Sequence, residues 1–196
     1  NWHKPISAAN DAASGVAVML EIARVVSGIS DINVGLDFVC LDAEDWGTPQ
    51  WEAYNGDNSG TWALGAQYFA QNMPLVQLPE YGILLDMVGG ENATFYRENY
   101  SERYALSVVE RVWSAARVVG YSSYFPNESG GMITDDHVSL NTVARIPTAD
   151  IVPYHPYCQE SSFGPTWHTM ADDMQHISKN TLKAVGQTVI QAVFGY

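Results

Sequence analysis

The sequence predicts an α/β fold, a three-layer sandwich in which helices cover a mostly parallel central sheet. Short apolar runs of strand length alternate with longer segments whose apolar residues recur every three or four positions. The chain has 196 residues, of which 46% are hydrophobic, and this is enough to bury one sizeable core. There is no internal repeat and no linker, so we expect a single domain over residues 1–196.

The first half of the chain predicts a helix, a strand and a loop. Asn10 or Asp11 can cap the helix, whose apolar stripe ends near Gly28. Residues 37–43 (DFVCLDA) hold four consecutive apolar residues, which is typical of a strand buried on both faces, and we expect a central parallel strand. Residues 46–60 combine glycine and proline with tryptophan, which indicates a loop that lines a site.

The second half continues the alternation. Residues 62–71 and 101–119 have helical periodicity, whereas residues 81–88 and 145–152 are short apolar runs that predict strands. Ser178 caps a last helix. Because open α/β sheets bind ligands at the carboxyl ends of their strands, we expect the functional site there.

The charge balance excludes some partners. Nine Lys and Arg residues against 22 Asp and Glu residues give a net charge of −13, which argues against nucleic acid and anionic membrane surfaces and favours small neutral or cationic ligands. No apolar run approaches the roughly 20 residues of a membrane span. Cys40 lies in a predicted strand and Cys158 in a loop, which does not indicate a disulfide framework.

Acidic and histidine side chains gather where the strands are predicted to end. Glu44 and Asp45 follow the first strand, Asp86 lies at the second, and His155 and His168 follow the third. Converging carboxylates repel one another unless a cation or protons intervene. Carboxylate and imidazole ligands suit Zn²⁺ with an open coordination position. The spacing alone leaves a metal site and ordinary surface carboxylates equally open.

Six segments carry a resemblance to a known family and follow one another in that family's order. They are NDAASGVAVMLEIARVV (10–26), DFVCLDAEDWG (37–47), ILLDMVGG (83–90), ITDDHVSL (133–140), IPTADIVPY (146–154) and WHTMADDMQHISKNTLKAV (167–185). Together they resemble the zinc aminopeptidase superfamily, and most closely its animal-type glutaminyl cyclase branch. The resemblance covers nearly the whole chain and implies the phosphorylase/hydrolase-like zinc exopeptidase fold.

The resemblance implies a zinc site. Its ligands would be Asp11, Asp45 and His168, with His155 as the next candidate for the histidine. Asp45 stands where the family more often has Glu, so the zinc or the backbone must shift slightly to keep the zinc–oxygen distance of about 2.0–2.2 Å. Asp11 has a second interpretation as a helix cap.

The resemblance also implies the proton-transfer groups. Glu44 would be the general acid/base, and Asp135 and Asp86 would steady the transfer. In two-zinc aminopeptidases the counterpart of Asp86 binds a second metal, but that site also needs a His-x-Asp motif, which residues 2–4 (WHK) do not match. Residues 2–4 thus do not decide whether a second zinc binds. The cyclase branch implies one zinc per chain, which we favour, and a second at Asp86 stays open.

Several aromatic residues favour the cyclase branch and a substrate-binding role. Trp167 immediately precedes the proposed ligand histidine, and Trp46 and Trp51 belong to the loop expected to line the site. His137 follows a pair of acids and is a further candidate. The alternative for the tryptophans is ordinary core packing, and for His137 it is orienting a neighbouring carboxylate by a hydrogen bond.

These residues imply a zinc-dependent glutaminyl-peptide cyclotransferase, which would convert the N-terminal glutamine of peptides or proteins to pyroglutamate and release ammonia. The alternative is a zinc aminopeptidase that hydrolyses the first peptide bond, and a minor alternative is a non-catalytic binding domain. The family is commonly exported, so we expect a periplasmic, secreted or secretory-lumen location. We also expect further sheet strands before Asn1.

Overall fold

The computed structural model describes residues 4–48, 52, 58–73 and 77–195. Its helices confirm the predicted order, although their bounds differ by a few residues. They are α1 (Ala13–Val26), α2 (Leu64–Gln71), α3 (Asn99–Val118), α4 (Asp136–Ser139) and α5 (Lys179–Phe194), with short 3₁₀ turns at Ser59–Thr61 and Met174–His176 and a π-helical turn at Leu140–Ala144. Across these ranges no helix combines the length and the apolar character that a membrane span requires.

The sheet in the described ranges has two parallel strands, β1 (Gly82–Leu85) and β2 (Thr148–Ile151). Leu84 lies opposite Asp150, and Leu85 lies opposite Ile151. Because side chains alternate along a strand, Leu85 and Ile151 face the main core while Asp150 faces the other side. The predicted α/β class with parallel strands is confirmed.

Three helices pack on the apolar face of this sheet. The main core joins α1, α3 and α5 to the two strands, and its fully buried members include Val109, Val112 and Val185. A smaller cluster joins α2 to the π-helical turn through Ala70 and Ile146. Helices thus lie on both sides of the strands, which leaves the carboxyl ends of the strands free to build a site.

The strand predicted over residues 37–43 is wrong. No strand pairs with this segment in the described part of the chain, and its Phe38 and Val39 are 44% and 37% exposed. The carbonyl groups at its end instead accept hydrogen bonds from the first turn of α2. Four consecutive apolar residues indicate burial on both faces, but a strand also needs a neighbour to complete its hydrogen bonds.

The predicted cap of α1 is also wrong, whereas that of α5 is confirmed. Ala12 occupies the capping position of α1 without a side-chain hydrogen bond. Asn10 Oδ1 instead accepts from the backbone N–H of Gly89, 2.9 Å away, after β1. Ser178 Oγ accepts from Thr181 N, as a helix cap does. The polar residues before α1 therefore serve the tertiary structure rather than the helix.

We predict opposite effects on stability for two glycine-to-alanine substitutions inside helices. A Cβ at Gly15 in α1 would collide with the carbonyl oxygen of Leu85, so Gly15→Ala should lower the free energy of unfolding by about 1–3 kcal/mol. A Cβ at Gly186 in α5 would contact only Val18, at 3.8 Å. Gly186→Ala should therefore raise the free energy of unfolding by about 0.5–1 kcal/mol, because alanine favours the helix.

Urea unfolding of the two variants beside the parent protein measures both effects. Gly186→Ala is the matched control, because the substitution and the secondary structure are the same and only the neighbour differs. Equal shifts of the unfolding midpoint in the two variants would contradict the close packing of α1 on β1.

Candidate metal centre and acid cluster

Three side chains from distant parts of the chain meet in one group. Asp11 lies just before α1, and Asp45 lies between α1 and α2, directly after residues 37–44. His168 lies in the loop before α5. His168 Nε2 lies 2.9 Å from Asp45 Oδ2 and 3.5 Å from Asp11 Oδ2. These are the residues for which the sequence predicts zinc binding, and the structure brings them together.

The geometry of the group fits zinc. One ligand atom from each of Asp11, Asp45 and His168 lies within 4.8 Å of the others. Two ligand atoms on a tetrahedral zinc are about 3.3 Å apart, and the 2.9 and 3.5 Å contacts lie on either side of this value. Two carboxylates and one imidazole leave a fourth position for water or substrate, as catalytic zinc sites require.

The electrostatics of the group favour a cation. Burial, then the charge of Asp45, raises the pKa of Asp11 to about 6. The hydrogen bond between Asp45 and His168 lowers the pKa of the carboxyl and raises that of the imidazole. Positive charge beside the two carboxylates would stabilise them, and a divalent ion held by these three side chains would supply it.

More acids surround this group. Burial, followed by the charge of Asp135, raises the pKa of Glu44 to about 9 and that of Asp86 well above its ordinary value. Asp135 is 5% exposed, and burial raises its pKa as well. Burial and then Asp135 raise the pKa of Asp136 to about 7. Glu44, Asp86 and Asp135, the three residues predicted to take part in proton transfer, thus lie in one cluster of mutually repelling carboxyl groups.

A cavity of about 640 Å³ opens beside these acids. Asp11, Glu44, Asp45, Asp86 and Asp135 all line it. Its other walls are largely apolar or aromatic and include Trp62, Met87, Met132, Ile133, Tyr154, Phe163 and Trp167. Polar groups, five of them acids, thus converge in one cavity beside aromatic and apolar side chains, as in a site that orients a small ligand by polar contacts.

The tryptophans predicted to bind substrate differ in their position relative to the cavity. Trp167 lines the cavity, and its ring stacks on the His168 ring with 3.9 Å between centroids. Trp46 is 78% exposed and is absent from the cavity wall, because its loop turns the ring outward. Trp51 lies outside the described residues. Trp62 and Phe163 supply flat walls that the sequence did not single out.

The prediction that His137 binds substrate is corrected by its position. Its ring is fully buried and hydrogen-bonded to Glu98, so no ligand in the cavity reaches it. The alternative interpretation, that it orients a carboxylate, agrees with this contact. His155 is half-buried and lies outside the three-residue group, with its pKa lowered by burial.

The sequence analysis did not identify Asp172, which links the loops that carry Asp11 and His168. Its carboxylate accepts from the backbone N–H of Asn10 at 2.7 Å and from that of Asp11 at 3.1 Å, and it is 2% exposed. Asp172 follows His168 by four residues, so one side chain links the loops that carry two of the proposed ligands. Only the folded chain brings residues 161 positions apart into this contact.

The backbone turns sharply beside the site. Ala43, Met87 and His168 have φ values of 53°, 51° and 55°, in the left-handed region that non-glycine residues rarely adopt. Two of them adjoin the acids Glu44 and Asp86, and the third is a proposed ligand. Such positions cluster at functional sites, where the surrounding structure holds them in place.

Comparison with known proteins shows the family. Residues 2–193 match peptidase family M28. The chain is 30% identical over 190 residues, 95% of its length, to aminopeptidase YwaD of Bacillus subtilis. It is similar to the crystal structure of Bacteroides thetaiotaomicron glutaminyl cyclase, with 49% identity, a TM-score of 0.91 and 99% of the chain covered. A Zn-dependent exopeptidase from Parabacteroides distasonis is 45% identical, with a TM-score of 0.90 over 98% of the chain.

The chain spans only part of these relatives. It covers 37% of the Bacillus aminopeptidase and 65% of each of the two solved structures. Zinc is the metal that the similarity indicates, in agreement with the ligand set described above. The match over nearly all of its residues places this chain in peptidase family M28.

Proposed function

We propose that the protein is a zinc-dependent glutaminyl-peptide cyclotransferase, which closes the N-terminal glutamine of a peptide or protein into pyroglutamate and releases ammonia. The proposal concerns the whole protein, of which this chain supplies the proposed ligands and acids. Similarity to a glutaminyl cyclase at 49% identity supports it. The surroundings of Asp86 favour the cyclase over the aminopeptidase, the other activity that occurs among the relatives.

The observation that supports the choice is the environment of Asp86, which is buried among other acids. Among the described residues, the group that can hold a metal consists of Asp11, Asp45 and His168 and leaves Asp86 out. After burial, the strongest influences on the Asp86 carboxyl are the charges of other acids, led by Asp135. This environment supports a place in a proton-sharing acid network and one zinc per chain.

The residues of the chain divide the chemistry between them. Zinc held by Asp11, Asp45 and His168 would supply Lewis acidity to a carbonyl oxygen of the substrate. In the cyclisation a bond forms between the α-amine nitrogen and the γ-carbonyl carbon, and the bond from that carbon to the amide nitrogen breaks. One proton must therefore pass from the attacking to the leaving nitrogen.

Glu44 is the group we assign to this proton. It lines the cavity beside Asp45, and its pKa of about 9 shows how strongly its surroundings favour the protonated form. Positive charge held next to it would bring that pKa down toward neutrality, where a group can both accept and donate. Asp135 and Asp86 lie close enough for their charges to shift the pKa of their neighbours, and they steady the transfer.

The cavity walls suit a small flat side chain. Trp167 contacts two other rings, Phe163 at 5.1 Å and His168 at 3.9 Å between centroids. These contacts hold the indole in place, and the part of it that lines the cavity offers a rigid surface for a glutamine side chain near the ligand group. The acidic surroundings also attract an α-ammonium group.

The alternative is a zinc aminopeptidase. Similarity to the Bacillus aminopeptidase favours it, and Asp86 lies near enough to the ligand group for its pKa to respond to Asp11 and Asp45. Glu44 would then activate a water molecule instead of moving a proton between two nitrogens. The products separate the alternatives, because hydrolysis releases a free amino acid and cyclisation releases ammonia.

We expect Glu44→Gln to reduce ammonia release from a Gln-initiated peptide by roughly 10²–10⁴-fold in kcat, because the amide cannot carry the proton. The measurement is coupled ammonia detection on the full-length protein, with zinc content determined on the same samples. Glu21→Gln is the matched control, since Glu21 is exposed on α1 and pairs with Arg24 on the same helix. Release of the N-terminal amino acid by the parent protein would overturn the cyclase proposal.

Metal analysis gives a second prediction. We expect about one zinc per folded chain, and we expect His168→Ala to bring the content close to zero because one of three protein ligands is lost. His176→Ala is the control, since His176 lies beside Asp173 and outside the ligand group. A content near two per chain would favour the aminopeptidase.

The role of Asp172 gives a third prediction. Asp172→Asn keeps the shape of the side chain but turns an NH₂ group toward the backbone N–H of Asn10 or Asp11, and we expect zinc affinity to fall by roughly 10–100-fold. Competition with a chromogenic chelator measures the affinity without any substrate. The neighbouring Asp173→Asn should leave it unchanged, because Asp173 bonds only locally, to Gln175 N and His176. Equal affinities in the two variants would remove Asp172 from the support of the site.

A further inference from the structure

A buried triad lies beneath the acid cluster and plays no part in the chemistry described so far. It consists of Glu98, His137 and Asp150, whose side chains are at most 1% exposed. His137 Nε2 lies 3.0 Å from Glu98 Oε2, and its Nδ1 lies 3.5 Å from Asp150 Oδ2. Burying three ionisable groups is costly, so their arrangement needs a reason.

Glu98 is the fixed point of the triad. Its carboxylate accepts from Tyr100 N at 2.7 Å, Ser101 N at 2.6 Å, Ser101 Oγ at 2.8 Å and Ile133 N at 3.0 Å, besides the contact with His137. Burial raises its pKa, but the hydrogen bond from His137 and those from the backbone outweigh this, so the pKa lies below its ordinary value. Glu98 is therefore a carboxylate that anchors the first turn of α3.

His137 lies between two carboxyl groups and is hydrogen-bonded to one of them. Because Glu98 is an acceptor, Nε2 carries a hydrogen and donates it. Nδ1 faces Asp150 Oδ2 at 3.5 Å, but in the described structure neither Nδ1 nor the two carboxyl oxygens of Asp150 makes a hydrogen bond. Rotating the ring would break the bond to Glu98.

The triad reaches the cavity through Asp135. His137 lies on α4 two residues after Asp135, which caps α4 by accepting from Asp136 N at 2.5 Å. Glu98 holds the backbone N–H of Ile133, and the segment from Gly131 to Asp135 forms one wall of the cavity. The same carboxylate thus pins the chain on both sides of Asp135.

We propose that His137 is a positioning residue for Asp135, because the hydrogen bond that its ring donates to Glu98, together with its close contact with Asp150, fixes α4 and thereby the direction in which the Asp135 carboxyl enters the cavity. The inference rests on the proposed function, in which Asp135 steadies the proton transfer. His137 touches no substrate, so its effect is confined to the acid that it holds. Displacement of a catalytic group by about 1 Å can cost roughly 10²-fold in rate.

Double-mutant cycles test this dependence on Asp135. In the full-length protein, His137→Phe should lower kcat by about 10–100-fold with KM within about threefold, because substrate contacts remain. His137→Gln keeps a donor toward Glu98 and should restore much of the loss. In an Asp135→Asn background the same His137 substitutions should change kcat by less than about threefold, since the group they position is already disabled.

The matched control is His176→Phe, whose ring is partly exposed beside Asp173 and remote from the triad. It should leave kcat and KM unchanged. A His137 effect of the same size in both backgrounds would overturn the inference, and so would a loss that follows the thermal midpoint alone. If the parent protein releases amino acid instead of ammonia, the proposed cyclase function fails, and the same cycle is run on that activity.

A spectroscopic measurement covers the case in which His137→Phe does not fold. In ¹⁵N-histidine-labelled parent protein, the buried Nε2–H of His137 should give a downfield signal protected from solvent exchange, without any substrate present. Glu98→Gln should shift this signal, because the acceptor loses its charge, and His137→Gln should remove it. Absence of a protected imidazole N–H in the parent protein would contradict the proposed clamp.

Discussion

Repulsion between carboxyl groups that are buried close to one another is the main electrostatic constraint on this site. After burial itself, the charge of Asp135 is the largest influence that raises the pKa of Glu44, Asp86 and Asp150. Such a cluster is stable only if positive charge or extra protons are supplied nearby. Two places supply them: the Asp11, Asp45 and His168 group on the cavity side, and His137 on the buried side. The proposed metal centre and the buried triad thus both compensate the repulsion between these carboxyl groups.

The parallel strands create this problem by bringing acids to the same place. Asp86 comes directly after β1 and donates its backbone N–H to Ile151 at the end of β2. Asp150 points from β2 toward α4, away from the apolar core. Strand alternation thus separates an apolar face, which α1, α3 and α5 cover, from a polar face that supports the site. Stability and chemistry occupy opposite sides of the same two strands.

Holding the ligands in place requires contacts between distant segments. Asp172 accepts a hydrogen bond from the backbone before α1, and Asn10 accepts one from the backbone N–H of Gly89 after β1. The loops that carry Asp11, Asp86 and His168 are therefore linked by hydrogen bonds. The same loops tolerate left-handed backbone at Met87 and His168, a conformation that costs on the order of 1–3 kcal/mol at each non-glycine position. Met87 is only 3% exposed, and the packing around it offsets that cost.

The α/β class, the order of the helices, strands β1 and β2, and the set of candidate ligands and acids could all be predicted from the amino-acid sequence. Periodicity and strand-end chemistry are local properties, and family resemblance named the residues. The folded structure was needed to show that 37–43 pairs with no strand in the described part of the chain, since pairing depends on a neighbour, and that Trp46 faces outward while Trp62 and Phe163 line the cavity. It also revealed Asp172, Glu98 and Asp150. Their roles consist of hydrogen bonds and charges across long separations in the chain, and no local pattern of residues encodes which distant groups will meet.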